Sequence, residues 1–120
     1  MKNREAERET LVLVKFPPAS FAGDALQATI RRIDRFGNLI TNCAARMFDT
    51  WTGGAKQLTV PIANGELDLL VASVYNDAPP DALIALIDSA AVLEIAVANG
   101  NAAQRLGITD SGGSIRLVRQ

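Results

Sequence analysis

Three residues that can do chemistry lie close together in the segment IDRFGNLITN, residues 33–42. Asp34 is a carboxylate that accepts hydrogen bonds, Phe36 an aromatic face that can stack, and Asn38 an amide that offers donor and acceptor together. The same residues have a plainer reading. Asp and Asn side chains commonly cap tight turns, and Phe36-Gly37-Asn38 has the composition of one. Residue types alone favour the turn.

Three further positions stand out. Tyr75 sits in a loop where a tyrosine would ordinarily rest on the body of the fold. Ser89 falls between two apolar runs, where a lone serine is usually a turn residue. Asn101-Ala102 opens a short helical stretch, so Asn101 is the expected N-cap and unpaired backbone N–H groups are available there to an acceptor. Gly100 before them permits a positive φ or a close approach. The 120 residues include no histidine, which removes the commonest general base, the commonest metal ligand and every Ser-His or Cys-His nucleophile pair. No catalytic residue and no metal ligand set emerges.

Composition sets the class. A chain of 120 residues, 48% hydrophobic and 21% charged, suits one packed domain. A net charge of −1 gives no general attraction for nucleic acid or an anionic membrane. A barrel for single-stranded nucleic acid would combine a basic groove with several stacking aromatics, whereas aromatics are 5% here. The greasy stretch from Ala82 to Ala98 is interrupted by Asp88, Ser89 and Glu94, so it reads as buried strands rather than a membrane span. Cys43 is the single cysteine, and no signal-peptide pattern of a charged n-region followed by an apolar h-region opens the chain, so the cytoplasm is the expected compartment. Trp51 suits core or interface packing.

These residues need elements to hold them. Residues 1–22 read as a charged leader and an extended arm: Leu11 to Phe16 is stopped by Pro17-Pro18, and Ser20 to Asp24 reads as a glycine-containing turn. Residues 23–120 read as one domain. From Leu26 apolar positions alternate, then slip by one at Arg31-Arg32, which predicts a bulged strand. Leu39 to Asn42 is extended, and Cys43 to Trp51 favours a helix that Gly53-Gly54 ends. Asn64-Gly65 predicts a two-residue hairpin loop with Ala63 opposite Glu66, Val60 opposite Leu69 and Leu58 opposite Val71. Asp77 to Asp81 is a loop. Leu83–Ile87, Val92–Ala98 and Ser114–Arg119 read as strands, with a helix over Ala102–Leu106 ended by Gly107. The fold class is mainly β: a small antiparallel β-barrel of about seven strands with one or two short helices.

Two segments together, IDRFGNLITN at 33–42 and DSAAVLEIAVANGNAAQRLG at 88–107, with Tyr75 in the loop before the intervening strand, resemble a known family. Their order and spacing are similar to the C-terminal domain of the S-adenosylmethionine hydrolases, relatives of the chlorinases and fluorinases. The likeness runs from about Gly23 to Val118. It implies a β-barrel beside an N-terminal α/β domain, in trimers whose active sites lie between domains of neighbouring subunits. It implies a reaction: attack by water at the ribose C5′ of S-adenosylmethionine, releasing adenosine and methionine. S-adenosylmethionine is then substrate, and no cofactor is expected. The water-placing groups of that family belong to its N-terminal domain, and nothing here corresponds to them.

The resemblance implies roles residue by residue. Asp34 meets the polar end of the ligand, Phe36 and Asn38 the adenine, and Tyr75 the other face of the base. Ser89 touches the methionine portion, while Asn101 and Ala102 bring backbone N–H groups to a purine ring nitrogen. Ala90 stands where the halogenases carry an arginine, which favours hydrolysis or a degenerate site over halogenation. The expectation is an adenosine-binding domain that needs a separate N-terminal domain for catalysis and joins a homo-oligomer, with no nucleic-acid or membrane partner. The competing expectation is a non-catalytic barrel for oligomerisation or partner binding that has lost the ligand.

Overall fold

The computed structural model describes residues 17–73 and 78–120. Eight strands and two helices follow one another along it: β1 (Ser20–Ala22), β2 (Ala25–Ile33), β3 (Leu39–Ala44), α1 (Ala45–Thr52), β4 (Gln57–Ile62), β5 (Gly65–Val71), β6 (Leu83–Ile87), β7 (Val92–Val97), α2 (Ala102–Leu106) and β8 (Ser114–Arg119). The strand order is β1-β2-β3-β7-β6-β5-β4-β8, and β2 pairs again with β8. That last pairing closes β2 to β8 into a seven-stranded barrel with β1 as an extra strand. Closure leaves the barrel strands without a free edge.

Alternation puts one face of each barrel strand inside. Leu26, Ala28, Ile30, Leu39, Leu58, Leu69, Leu93, Ile95 and Leu117 form the interior, each 0–2% exposed. At roughly 1.5–3 kcal/mol for each large apolar side chain, this cluster is the main stabilising term.

Two irregularities let a small barrel close. The pairing of β2 with β3 shifts between Ile30 and Arg32, at the expected bulge. A second shift lies in β3 between Ile40 and Ala44. There the buried Thr41 hydroxyl donates to the Leu93 carbonyl (2.8 Å) and accepts from the Cys43 N–H (3.1 Å), which satisfies backbone groups that the ladder abandons.

Three expectations are corrected. Cys43 and Ala44 belong to β3, and α1 starts only at Ala45 with no side-chain cap. Its Phe48, Trp51 and Thr52 face inward at helical spacing, and Gly53 ends it in the left-handed conformation (φ 60°). Ser20–Ala22 is a strand that pairs with Gln27–Ala25, so the glycine turn is confined to Gly23-Asp24. The hairpin has the expected ends but a different register. Ile62 pairs with Gly65, Val60 with Leu67 and Leu58 with Leu69, so the loop residues are Ala63-Asn64. Neither has a positive φ, as a type I′ turn would require; Gly65 does, at 145°. The register moves by two residues, which keeps every side chain on its expected face.

The barrel is antiparallel except at one place. Leu70 and Val71 in β5 pair parallel with Ile84 and Ala85 in β6. A parallel pair cannot be joined by a tight turn and needs a crossover connection. No described helix is long and apolar enough to cross a membrane. Residues 1–16, with the expected leader and most of the arm, lie outside the described residues.

Candidate functional site at one end of the barrel

The loop between β2 and β3 is built around Asp34. Asp34 Oδ1 accepts from the N–H groups of Phe36 (2.9 Å) and Asn38 (3.0 Å), while its Oδ2 accepts from Asn38 Nδ2 (3.0 Å). The backbone closes the same turn: Gly37 N–H donates to the Asp34 carbonyl (2.9 Å) and Asp34 N–H to the Asn38 carbonyl (3.0 Å). Partial burial pushes the Asp34 pKa up, but the bonds from Asn38 and Phe36 and the charge of Arg32 outweigh it. The net shift is downward, and the carboxylate is held ionised. Both of its oxygens serve the turn, as residue types alone implied.

The turn leaves its aromatic ring outside. Phe36 is 61% exposed, a large apolar side chain that the core does not claim, whereas Asn38 is 8% exposed. The Arg35 guanidinium carbon lies 5.0 Å from the Phe36 ring centroid.

The second motif arrives beside the first along β7. Leu39 pairs with Ile95, which puts the 34–38 turn next to the residues that follow Val97. Asn99 turns the chain with a positive φ of 59°, and Gly100 comes so close to β7 that a Cβ on it would lie 2.6 Å from Val97 Cγ1. Asn101 then caps α2: its Oδ1 accepts from the Gln104 N–H at 2.8 Å. Gly107, at φ 70°, ends the helix.

Between these pieces lies a cleft of about 640 Å³, lined by Phe36, Asn38, Ala78, Pro80, Val97, Ala98, Asn99 and Gly100. An exposed ring, two amides and an otherwise apolar wall suit a flat, weakly polar heterocycle. Beyond Phe36 and Asn38, the sequence pointed in this wall only to Gly100, as a place for a close approach; Val97, Ala98, Asn99, Ala78 and Pro80 carry no signal of their own.

Of the other expected contacts, Asn101 adjoins the cleft. Ala102 is fully buried, so it offers the cleft no surface. Ser89 lies in the turn between β6 and β7, where Asp88 Oδ1 accepts from the N–H groups of Ala90 (2.8 Å) and Val92 (3.3 Å). That turn is at the opposite end of β7 from Asn101, some 15–20 Å of strand away by the usual rise per residue. The structure therefore does not bring Ser89 to Phe36 and Asn38. Tyr75 lies outside the described residues.

A second cleft, about 540 Å³, lies between the end of α1 and the parallel strand pair and is lined in part by Phe48, Lys56 and Ser73; none of the expected site residues reaches it. Among the described residues no group of three or more His, Cys, Asp or Glu could hold a metal ion.

Comparison with known proteins identifies the family of the domain. The chain matches the family model described as SAM hydroxide adenosyltransferase C-terminal domain over residues 28–113, which takes in both motifs. It is similar to an uncharacterized conserved protein from Thermotoga maritima, with 27% identity, a TM-score of 0.80, and coverage of 88% of this chain and 40% of that one. It is also similar to a conserved hypothetical protein from Thermus thermophilus, with 28% identity, a TM-score of 0.59, and coverage of 90% and 40%. The chain thus spans 40% of the length of either solved structure. No curated protein matches. With 86 matched residues (113 − 28 + 1) of 120 and both motifs inside the matched range, the chain belongs to the SAM hydroxide adenosyltransferase C-terminal domain family.

Proposed function

We propose that this domain is the adenosine-holding part of a SAM hydroxide adenosyltransferase-like site, completed by a separate N-terminal α/β domain in a homo-oligomer, with the trimer the expected form. The observation that carries the reading is the cleft, where Phe36, 61% exposed, and Asn38 share one wall with the 97–100 turn. Phe36 is the stacking face for adenine and Asn38 the amide that reads its edge. The carboxylate of Asp34 holds both in place, and its reach to the polar end of the ligand is secondary to that. Asn101 gives its Oδ1 to the helix and lies beside the cleft rather than in its wall. Tyr75 as the cover of the other face and Ser89 as a methionine contact rest on the family likeness alone.

The chemistry is displacement at C5′ of S-adenosylmethionine. The C5′–S bond breaks as a water oxygen bonds to C5′, methionine leaves with the sulfur electron pair, and the water surrenders a proton. This chain supplies orientation to that step. Asp34, whose turn bonds hold its pKa below the usual carboxylate value, is a poor acceptor for that proton.

The test is calorimetry with adenosine and S-adenosylmethionine on the 120-residue chain, followed by an assay for released adenosine. Weak adenosine binding is expected, with turnover at background until a matching N-terminal domain is added. Asn38→Ala should weaken binding about 5- to 100-fold, because a purine edge left without its partner costs on the order of 1–3 kcal/mol. Ordinary enzymatic turnover by the chain alone would sink the reading. Complete absence of binding, with or without the added domain, would favour a barrel kept only for assembly.

A further inference from the structure

The two motifs are in direct contact through a glycine. Gly37 has φ +84°, and a Cβ built on it would fall inside the Asn101 carboxamide. The Gly37 carbonyl accepts from the Ala103 N–H at 2.9 Å, so the turn also satisfies one of the unpaired donors in the first turn of α2. Asn101 Oδ1 satisfies another, from Gln104. A helix of five residues has no stability of its own, so α2 exists here because its cap and its packing hold it. Gly37 is flanked by the two cleft residues, Phe36 and Asn38. Whatever seats Gly37 therefore sets where the ring and the amide point.

We propose that Asn101 is a positioning residue of the cleft: it acts through Gly37, its side chain capping α2 and seating the 34–38 turn so that Phe36 and Asn38 stand ready before a ligand arrives. The proposal rests on the cleft being a ligand site, and it gives Asn101 a part the family likeness does not. Cap and seat are one device. An oxygen at position 101 that accepts from Gln104 keeps the first turn of α2 in place, which keeps Ala103 N–H aimed at the Gly37 carbonyl. Glycine at 37 is required twice over, by its positive φ and by the carboxamide against its Cα.

The experiment compares Asn101→Ala, Asn101→Ser and Gly37→Ala with the unaltered 120-residue chain, with two readouts. One is adenosine affinity by calorimetry. The other is the Asp34 carboxyl titration by NMR, which needs no ligand and reports whether Asn38 and Phe36 still donate to that carboxylate; Arg32, the charged group acting on Asp34, is unchanged throughout. Asn101→Ala is expected to weaken adenosine binding about five- to tenfold, the usual size of a lost cap, and to move the Asp34 midpoint upward. Asn101→Ser keeps a capping oxygen but no amide, and is expected to restore both readouts close to wild type. Gly37→Ala should resemble Asn101→Ala; if it does not fold, the two Asn101 variants decide the matter. Loss of binding in Asn101→Ser with an unmoved Asp34 titration would show direct ligand contact and overturn the proposal. So would an unmoved titration in Asn101→Ala. If the unaltered chain binds no adenosine, with or without the added N-terminal domain, the cleft reading fails while the titration still decides the seat.

Discussion

Arg119, next to last in the chain, lies over Trp51: its guanidinium carbon is 5.7 Å from the ring centroid and its Nη1 donates to the Trp51 carbonyl at 3.1 Å. Its Nη2 donates to the Gly23 carbonyl (3.0 Å) and to Asp24 Oδ1 (3.2 Å). One side chain thus ties α1, the β1–β2 turn and the last strand together. Trp51 itself is 2% exposed and packs at 6.3 Å from Phe48, which places it in the core.

Arg119→Ala should lower the free energy of unfolding by about 1–3 kcal/mol, because two backbone carbonyls lose a charged donor and the indole loses its cation. Asp24→Ala should cost less than about 1 kcal/mol, since Asp24 is an exposed partner. Lysine at 119 should not restore stability, as one ammonium cannot replace the planar fork. Urea unfolding of the three variants checks the order, and equal losses for Arg119→Ala and Asp24→Ala would contradict it.

Phe36→Ala should separate binding from folding. The ring is 61% exposed, so its loss should change stability by no more than about 0.5 kcal/mol. Adenosine affinity should fall by roughly 5- to 100-fold if the ring stacks on the base. Thermal melts and calorimetry on the same sample measure both. A large loss of stability would mean that the ring packs on the fold rather than on a ligand.

Asp34 makes stability depend on acid. Its folded-state pKa lies below the unfolded value, so it contributes stability that is present above about pH 4 and lost as pH falls through the folded-state value. Asp34→Asn should therefore be less stable than wild type at neutral pH, with the gap narrowing below about pH 4. Denaturant midpoints at several pH values give the comparison. A constant gap down to strongly acidic pH would mean that the carboxylate is not held by its turn.

Cys43 should be inert while the domain is folded. It is 0% exposed, and burial pushes its thiol pKa up to about 11, so almost no thiolate exists near neutral pH. Labelling by an aromatic disulfide reagent should proceed only as fast as the domain opens, and should become rapid in denaturant. Fast labelling under native conditions would show that β3 is not held as described.

By itself the sequence determined the strands that form the barrel wall and the ends of α2. Alternation of apolar residues is a local property, and so are the bulge at Arg31-Arg32 and the Asn101 cap, which depend on neighbours within about four residues. It also determined which hairpin faces are buried, but not their pairing. Moving the loop from Asn64-Gly65 to Ala63-Asn64 shifts the register by two and leaves Leu58, Val60 and Leu69 inside either way. Only the backbone of the turn, with Gly65 at φ 145°, selected between them. The start of α1 moved for a related reason: Cys43 has no strong local preference, and the pairing of β3 with β7, with Thr41 spanning the bulge, drew it into the sheet. Tertiary structure alone decided the membership of the site. In sequence, Ser89 is nearer to Asn101 than Asp34 is, yet an extended β7 sets Ser89 and Asn101 at opposite ends of the barrel wall. Closure of the sheet then carries Gly37 against Asn101 across 64 residues (101 − 37) of chain, because a strand separates what it joins in sequence and a ladder unites what the sequence separates.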